Sequence, residues 1–119
     1  MTRLDLALAA WLVACAAAGL AQVLASRRLG QRSAWGISPG WQREIGLWNL
    51  ALCVGISCAL LSGDVVAKVV MARTVGVLAV LLGLHHVAAA RTNPAATHVV
   101  GAAANAVGLA VVAWALCTR

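Results

Sequence analysis

Four apolar stretches, residues 4–25, 41–61, 69–90 and 95–116, take up most of this chain. Each matches the roughly 20 helical residues that cross a bilayer. Hydrocarbon leaves no backbone N–H or C=O free to bond water, so runs of this length commit to helices that bond within themselves. Of the 119 residues, 63% are hydrophobic and 10% charged, outside the range of ordinary soluble domains. The expectation is an all-α, polytopic integral membrane protein: four transmembrane helices in an up-down-up-down bundle. It forms a single four-helix domain over residues 1–119, multi-pass in the cell membrane, with no room for a separate soluble domain.

The net charge of +6 does not point to nucleic acid, because the basic residues sit at the ends of the apolar runs instead of along one face. They read as topology and headgroup anchors, with the lipid bilayer as partner. No glycine-rich phosphate loop is present. Cys15, Cys53, Cys58 and Cys117 fall inside predicted spans with no CxxC spacing and read as small buried hydrophobes. The first run resembles a signal peptide at "LVAC" and "VLAS", but Asp5 interrupts it and apolar residues continue past Cys15, so it reads as a span.

The basic segment 26–40, "SRRLGQRSAWGISPG", is the long connection. Ser38 before Pro39 is a helix start, and "SGD" at 62–64 breaks the second span from the third. Lys68 and Arg73 are placed to snorkel back to that break. In "TNP", Asn93 is expected as cap and Pro94 as first residue of the last helix. Trp35, Trp41 and Trp48 lie toward the long connection and Trp11 and Trp114 toward the other end, as two interfacial belts. The arginines of 26–40 place that connection on the cytoplasmic side by the positive-inside rule.

All three histidines fall within "LHHVAAARTNPAATHVV", residues 84–100. His86 lies five residues before Arg91 and His98 five after Asn93, about 7 Å inside the turn at 1.5 Å per residue. Asn49 lies five residues inside Glu44 on the second span. Glu44, Asn49, His85 or His86, and His98 are therefore expected to converge in one layer near one membrane face. Along the last span His98, Gly101, Ala102, Asn105 and Gly108 form a small and polar stripe that should face the bundle interior. Each residue also has a plainer role open to it. Glu44 can pair with Arg43, Asn49 and Asn105 can join helices by hydrogen bonds, and His98 can bond a neighbouring carbonyl.

From "WQREIGLWNLAL" (41–52) onward, the chain resembles the membrane portion of actinobacterial zinc-finger anti-sigma-factor-like proteins and related small membrane proteins. Arg43, Glu44, Trp48, Asn49 and residues 50–52 carry the likeness, followed by His86, Arg91, Thr92 and His98. Asn49 and His86 stand where the family more usually has acids, and the 119 residues hold no zinc-finger segment. The family's topology would place the long connection outside. The resemblance implies a functional polar layer and favours a sensor or accessory role.

Three functions follow. The first is an enzyme-like pocket near one membrane face, handling a lipid-soluble or amphiphilic small molecule. Glu44, His86 and His98 would carry acid–base chemistry, with Asn49, Asn105, His85, Trp48 and Trp41 around the substrate. The same Glu44, His86 and His98 are the candidates for a transition-metal set, the cofactor such chemistry would use. The second is a non-catalytic membrane sensor or accessory subunit. The third is a small dimeric, proton-coupled transporter, which would make the chain a homo-oligomer.

Overall fold

The computed structural model describes residues 1–117, which are helical with no strand among them. The helices are α1 (Arg3–Leu24), α2 (Ser26–Gln31), α3 (Pro39–Ser62), α4 (Val65–Thr92) and α5 (Ala96–Cys117). All but α2 are long and apolar enough to cross a membrane, as the four apolar runs predict. The short α2 is new: half of the segment read as a loop winds into a helix, burying Ser26 and Gly30 and turning Arg27 and Arg28 outward.

Local chemistry accounts for most of the boundaries. At the start of α1 the Thr2 hydroxyl accepts from the Asp5 N–H (3.2 Å) and the Asp5 carboxylate accepts from the Thr2 N–H (2.7 Å). This reciprocal cap satisfies two amides that the first turn leaves over. Pro39 opens α3, and Gly63, at φ +71°, closes it in the left-handed conformation that glycine takes without steric cost. Asp64 caps α4 by accepting from the Val66 N–H at 2.8 Å. The last turn departs from expectation. Asn93 closes α4, its N–H bonded to Ala89 O at 2.9 Å, and α5 begins at Ala96, two residues beyond Pro94. The cause lies in the residue before proline, which is driven out of the α region; Asn93 sits at φ −145°, ψ 102°.

The helices associate as two intimate pairs, α1 with α3 and α4 with α5. Between the pairs α1 touches both α4 and α5, and α3 touches α4; among the described residues α3 and α5 do not meet. The result is a flattened rhomb whose Cα envelope measures 42 × 26 × 16 Å. The α1–α3 crossing is set by two glycines. A Cβ on Gly46 would lie 2.9 Å from Gly19 O and 2.8 Å from Val23 Cγ2, and one on Gly19 would lie 3.0 Å from Gly46 O. Beside this crossing Asn49 Nδ2 donates to Gln22 Oε1 at 2.8 Å, the interhelical bond that an amide inside an apolar span is suited to make.

The apolar core is built from Leu8, Trp11, Cys15, Ile56, Ala72, Val75, Ala79 and Val112. Trp11 therefore corrects the two-belt reading. Its indole is buried, lies on Gly108 and donates from Nε1 to Gly108 O at 3.3 Å, so it is a core residue. Trp114 does sit at the helix ends, with the Arg3 guanidinium 5.4 Å from its ring centroid. Lys68 reaches back as expected and pairs with Asp5 at 2.7 Å. The cysteines divide: Cys15 is buried and Cys53 half-buried, but Cys58 and Cys117 are exposed, against the expectation that all four are packed inside; all four are free thiols.

Candidate functional site

The α4–α5 turn brings two histidines face to face. His86 lies on α4 less than two turns before its end, and His98 sits in the first turn of α5. Their rings meet because Gly101 has no side chain: a Cβ there would fall 2.5, 2.6 and 2.7 Å from Cε1, Nδ1 and Nε2 of His86. The imidazole of His86 thus lies on the bare backbone of α5, with its Nδ1 3.4 Å from Nδ1 of His98. The stripe expected on the last span has the predicted direction. His98 is fully buried, Gly101 receives His86, Asn105 lies against Gly83, and Gly108 receives Trp11.

The loop between α2 and α3 closes over this pair. The Ala34 N–H donates to Nε2 of His98 at 2.8 Å, and the Thr97 hydroxyl donates to the carbonyl of Arg32. Trp35 follows Ala34, and its indole meets all three imidazoles. It stacks on His85 (centroids 4.7 Å apart, planes 12° apart), meets His98 edge-on (4.5 Å, 65°) and is tilted against His86 (5.2 Å, 45°). The loop holds this shape by short-range bonds: Trp35 N–H to Ser33 Oγ at 3.1 Å, Ser33 N–H to Gly30 O at 3.2 Å and Gly36 N–H to Ser33 O at 3.3 Å. Gly36 takes φ +75°, and a Cβ on Gly30 would strike Gly36 O at 2.9 Å, so both glycines are needed for the loop to fold back on α2.

The hydrogen bonds assign the protons. Nε2 of His98 accepts from a backbone amide, so a neutral His98 carries its hydrogen on Nδ1. That hydrogen points at Nδ1 of His86, which must then be the acceptor, leaving the His86 hydrogen on Nε2. The chain runs from Ala34 N–H to His98 to His86, and it closes only while both rings are neutral. A proton added at His98 Nε2 displaces the Ala34 amide. A proton added at His86 Nδ1 sets two N–H groups against each other.

The rest of the expected layer does not assemble around the histidines. Glu44 is exposed on α3, which makes no contact with α5, and among the described residues the ion pair present is Lys68–Asp5, so Glu44 pairs with neither Arg43 nor a histidine. Asn49 faces α1 through Gln22. Asn105 bonds back to Gly101 O within its own helix at 2.8 Å. Trp41 and Trp48 are exposed. These residues do not lie at the angle around the bundle that convergence on the histidines needs: Asn49 points across the α1–α3 pair. The three-residue metal set Glu44, His86, His98 is likewise not formed, and among the described residues no three His, Cys, Asp or Glu side chains gather as metal ligands. Of the adjacent histidines, His86 is half-buried against its partner while His85 is exposed beneath Trp35.

Trp35 is the site residue that sequence reasoning assigned elsewhere, to an interfacial belt. Its signal was present as an aromatic in a serine- and glycine-bounded loop, but only the fold of the loop shows which surface it covers. Two open grooves lie on the described surface, one lined by Arg32, Ala95, Ala96, Thr97 and Val100, the other by Val70, Arg73, Thr74 and Val77, and no histidine enters either. No family model, curated protein or solved structure matches this chain.

Proposed function

We propose that the chain is a four-pass, up-down-up-down protein of the cell membrane that acts as a non-catalytic sensor or accessory subunit, with the proton as its input. The observation that carries the reading is the docking of the loop on neutral imidazoles: Ala34 N–H on His98 Nε2, with Trp35 over all three rings. It is also the role that the likeness to anti-sigma-factor-like membrane regions favours. The acid–base pair of Glu44 with a histidine, on which an enzyme reading would rest, lacks its geometry.

The 28 residues of α4 span about 42 Å at 1.5 Å per residue, longer than a hydrocarbon core of about 30 Å. The histidine end of α4 then lies at headgroup level, within reach of aqueous protons. The charged groups around the pair are few. On α4 these are His85, and Arg91 five residues on; on the loop, Arg32; and α5 offers no second titratable group among its described neighbours. No carboxylate faces the pair to compensate an added proton. Docking is therefore complete while both rings are neutral and is lost when either ring takes up a proton. A released loop presents Trp35 to a partner.

The test uses Trp35 emission, taken as the difference between a protein and its Trp35→Phe counterpart, in a His85→Gln background that removes the exposed imidazole. Emission should shift between about pH 8 and about pH 5. In His86→Gln/His98→Gln the amide oxygen at position 98 can still accept from Ala34 N–H and neither side chain titrates, so the shift should vanish with the loop still docked. The same shift with and without these two histidines would defeat the reading.

A further inference from the structure

The two ends of the molecule treat their charges differently. At the end where α1 begins, Lys68 is paired with Asp5 and Arg3 lies over Trp114, which leaves Arg73 as the single exposed arginine there, beside a groove of its own. At the loop end Arg27, Arg28, Arg32, Arg43 and Arg91 are all exposed, Glu44 is the sole carboxylate nearby, and among the described residues none of the five guanidiniums makes an ion pair or a hydrogen bond within the chain. α2 orders this charge. Ser26 and Gly30 face inward, so Arg27 and Arg28 project from the opposite side, and Arg32 follows directly. The carbonyl of Arg32 is tied to Thr97, which holds the residue at the mouth of the groove whose floor is Ala95, Ala96 and Val100. The Arg32 side chain thus borders a short, open and mainly apolar groove on the first turns of α5. Exposed Ile37, Trp41 and Trp48 belong to the same end.

From this arrangement we infer a binding site for an anionic phospholipid: the headgroup phosphate on Arg32 with Arg27 and Arg28, and an acyl chain along the groove toward Val100. Charge complementarity selects the ligand, since five unpartnered arginines at headgroup level need anions, and the groove selects an anion that carries a hydrocarbon chain. The inference rests on the membrane part of the proposed function and not on the histidine pair.

The test reconstitutes the full chain in nanodiscs of phosphatidylcholine containing phosphatidylglycerol, then extracts it gently and identifies the retained lipid by native mass spectrometry. The chain should retain phosphatidylglycerol well above its share of the disc. Retention should fall about fivefold for each arginine removed, so Arg27→Gln/Arg28→Gln/Arg32→Gln loses about two orders of magnitude. The corresponding triple lysine variant, which keeps the charge, should keep most of the preference, and Arg73→Gln at the opposite end should keep all of it. Failure to enter the discs, or discs of phosphatidylcholine alone prepared in parallel, would reject the membrane reading itself. Entry without a phosphatidylglycerol preference, or equal loss in Arg73→Gln, would overturn the site alone. Displacement of the lipid by inorganic phosphate or a short oligonucleotide would overturn it in favour of a soluble anion.

Discussion

Replacing Gly101 with alanine probes the histidine pair without touching either histidine. The new Cβ would meet three atoms of the His86 ring at 2.5–2.7 Å, against an ordinary contact of about 3.5–4.0 Å. The ring has to retreat by about 1 Å. Its Nδ1 already stands at 3.4 Å from His98, so that retreat breaks the bond, a loss of about 1 kcal/mol. The helix gains up to about 1 kcal/mol from alanine in place of glycine. The two nearly cancel, since the obstructing atoms belong to a side chain that can turn and not to a backbone that cannot. The expected outcome is a variant whose unfolding in sodium dodecyl sulfate, followed by helical circular dichroism, moves by less than about 1 kcal/mol. In ¹⁵N spectra of histidine-labelled protein, the two ring nitrogens that face each other should lose their mutual hydrogen-bond shift. Unchanged ring signals would mean that His86 does not lie on Gly101. A loss above about 3 kcal/mol, the upper end for overpacked cores, would mean that the ring is locked and that the pair is structural.

Gly46→Ala is expected to act differently, because its Cβ would press on the backbone oxygen of Gly19, which cannot swing aside. The same unfolding assay should report a loss of about 2–3 kcal/mol, and retained stability would show that α1 and α3 can separate freely. For the ion pair of Asp5 with Lys68, Asp5→Lys and Lys68→Asp should each weaken the fold, and the double exchange should recover the coupling between them in the same titration but not the cap that Asp5 gives the Thr2 N–H. Additive losses would mean that the pair contributes no coupling.

How much of this was legible in the sequence divides along physical lines. The number and type of the long helices were legible because a run of about 20 apolar residues has one favourable solution in hydrocarbon. The inward stripe of the last helix was legible because small and polar residues at spacings of three and four leave one side for close approach. Spacing along a helix was also readable, since 1.5 Å per residue sets how far His86 and His98 lie from the turn that joins their helices. Rotation about the helix axis was not. Glu44 and Asn49 lie on a helix that is apolar on most sides, so no strong periodicity chose which side faces α1 and which the histidines. The Gly19–Gly46 contact decides it, and a single glycine on each of two helices does not stand out among the 11 in the chain. The α2–loop unit escaped notice for the opposite reason. Its fold depends on Gly30 and Gly36 meeting through the backbone, and nothing in the local pattern shows Trp35 reaching across to α4 and α5.

The distribution of forces bears on the proposed switch at the loop end. The buried core of Leu8, Trp11, Ile56, Ala72, Val75 and Val112 lies toward the other end, where apolar packing holds all four long helices together. Approaching the loop, the contacts that remain are glycine crossings and hydrogen bonds: Gln22 with Asn49, Ala34 with His98, His98 with His86. Elements held by a few breakable bonds open at far lower free energy than a packed core. A proton that cancels one of those bonds can free residues 33–38 without loosening the helices below, because the α4–α5 pair keeps its own packing through Gly76 on Val112 and Gly83 on Asn105. The loop moves against a fixed frame and carries Trp35 with it, while the bond of the Arg32 carbonyl to the Thr97 hydroxyl, which no histidine shares, keeps Arg32 on α5. Proton uptake at the histidines would therefore leave the proposed lipid groove in place, so retention of anionic lipid should not change with acid.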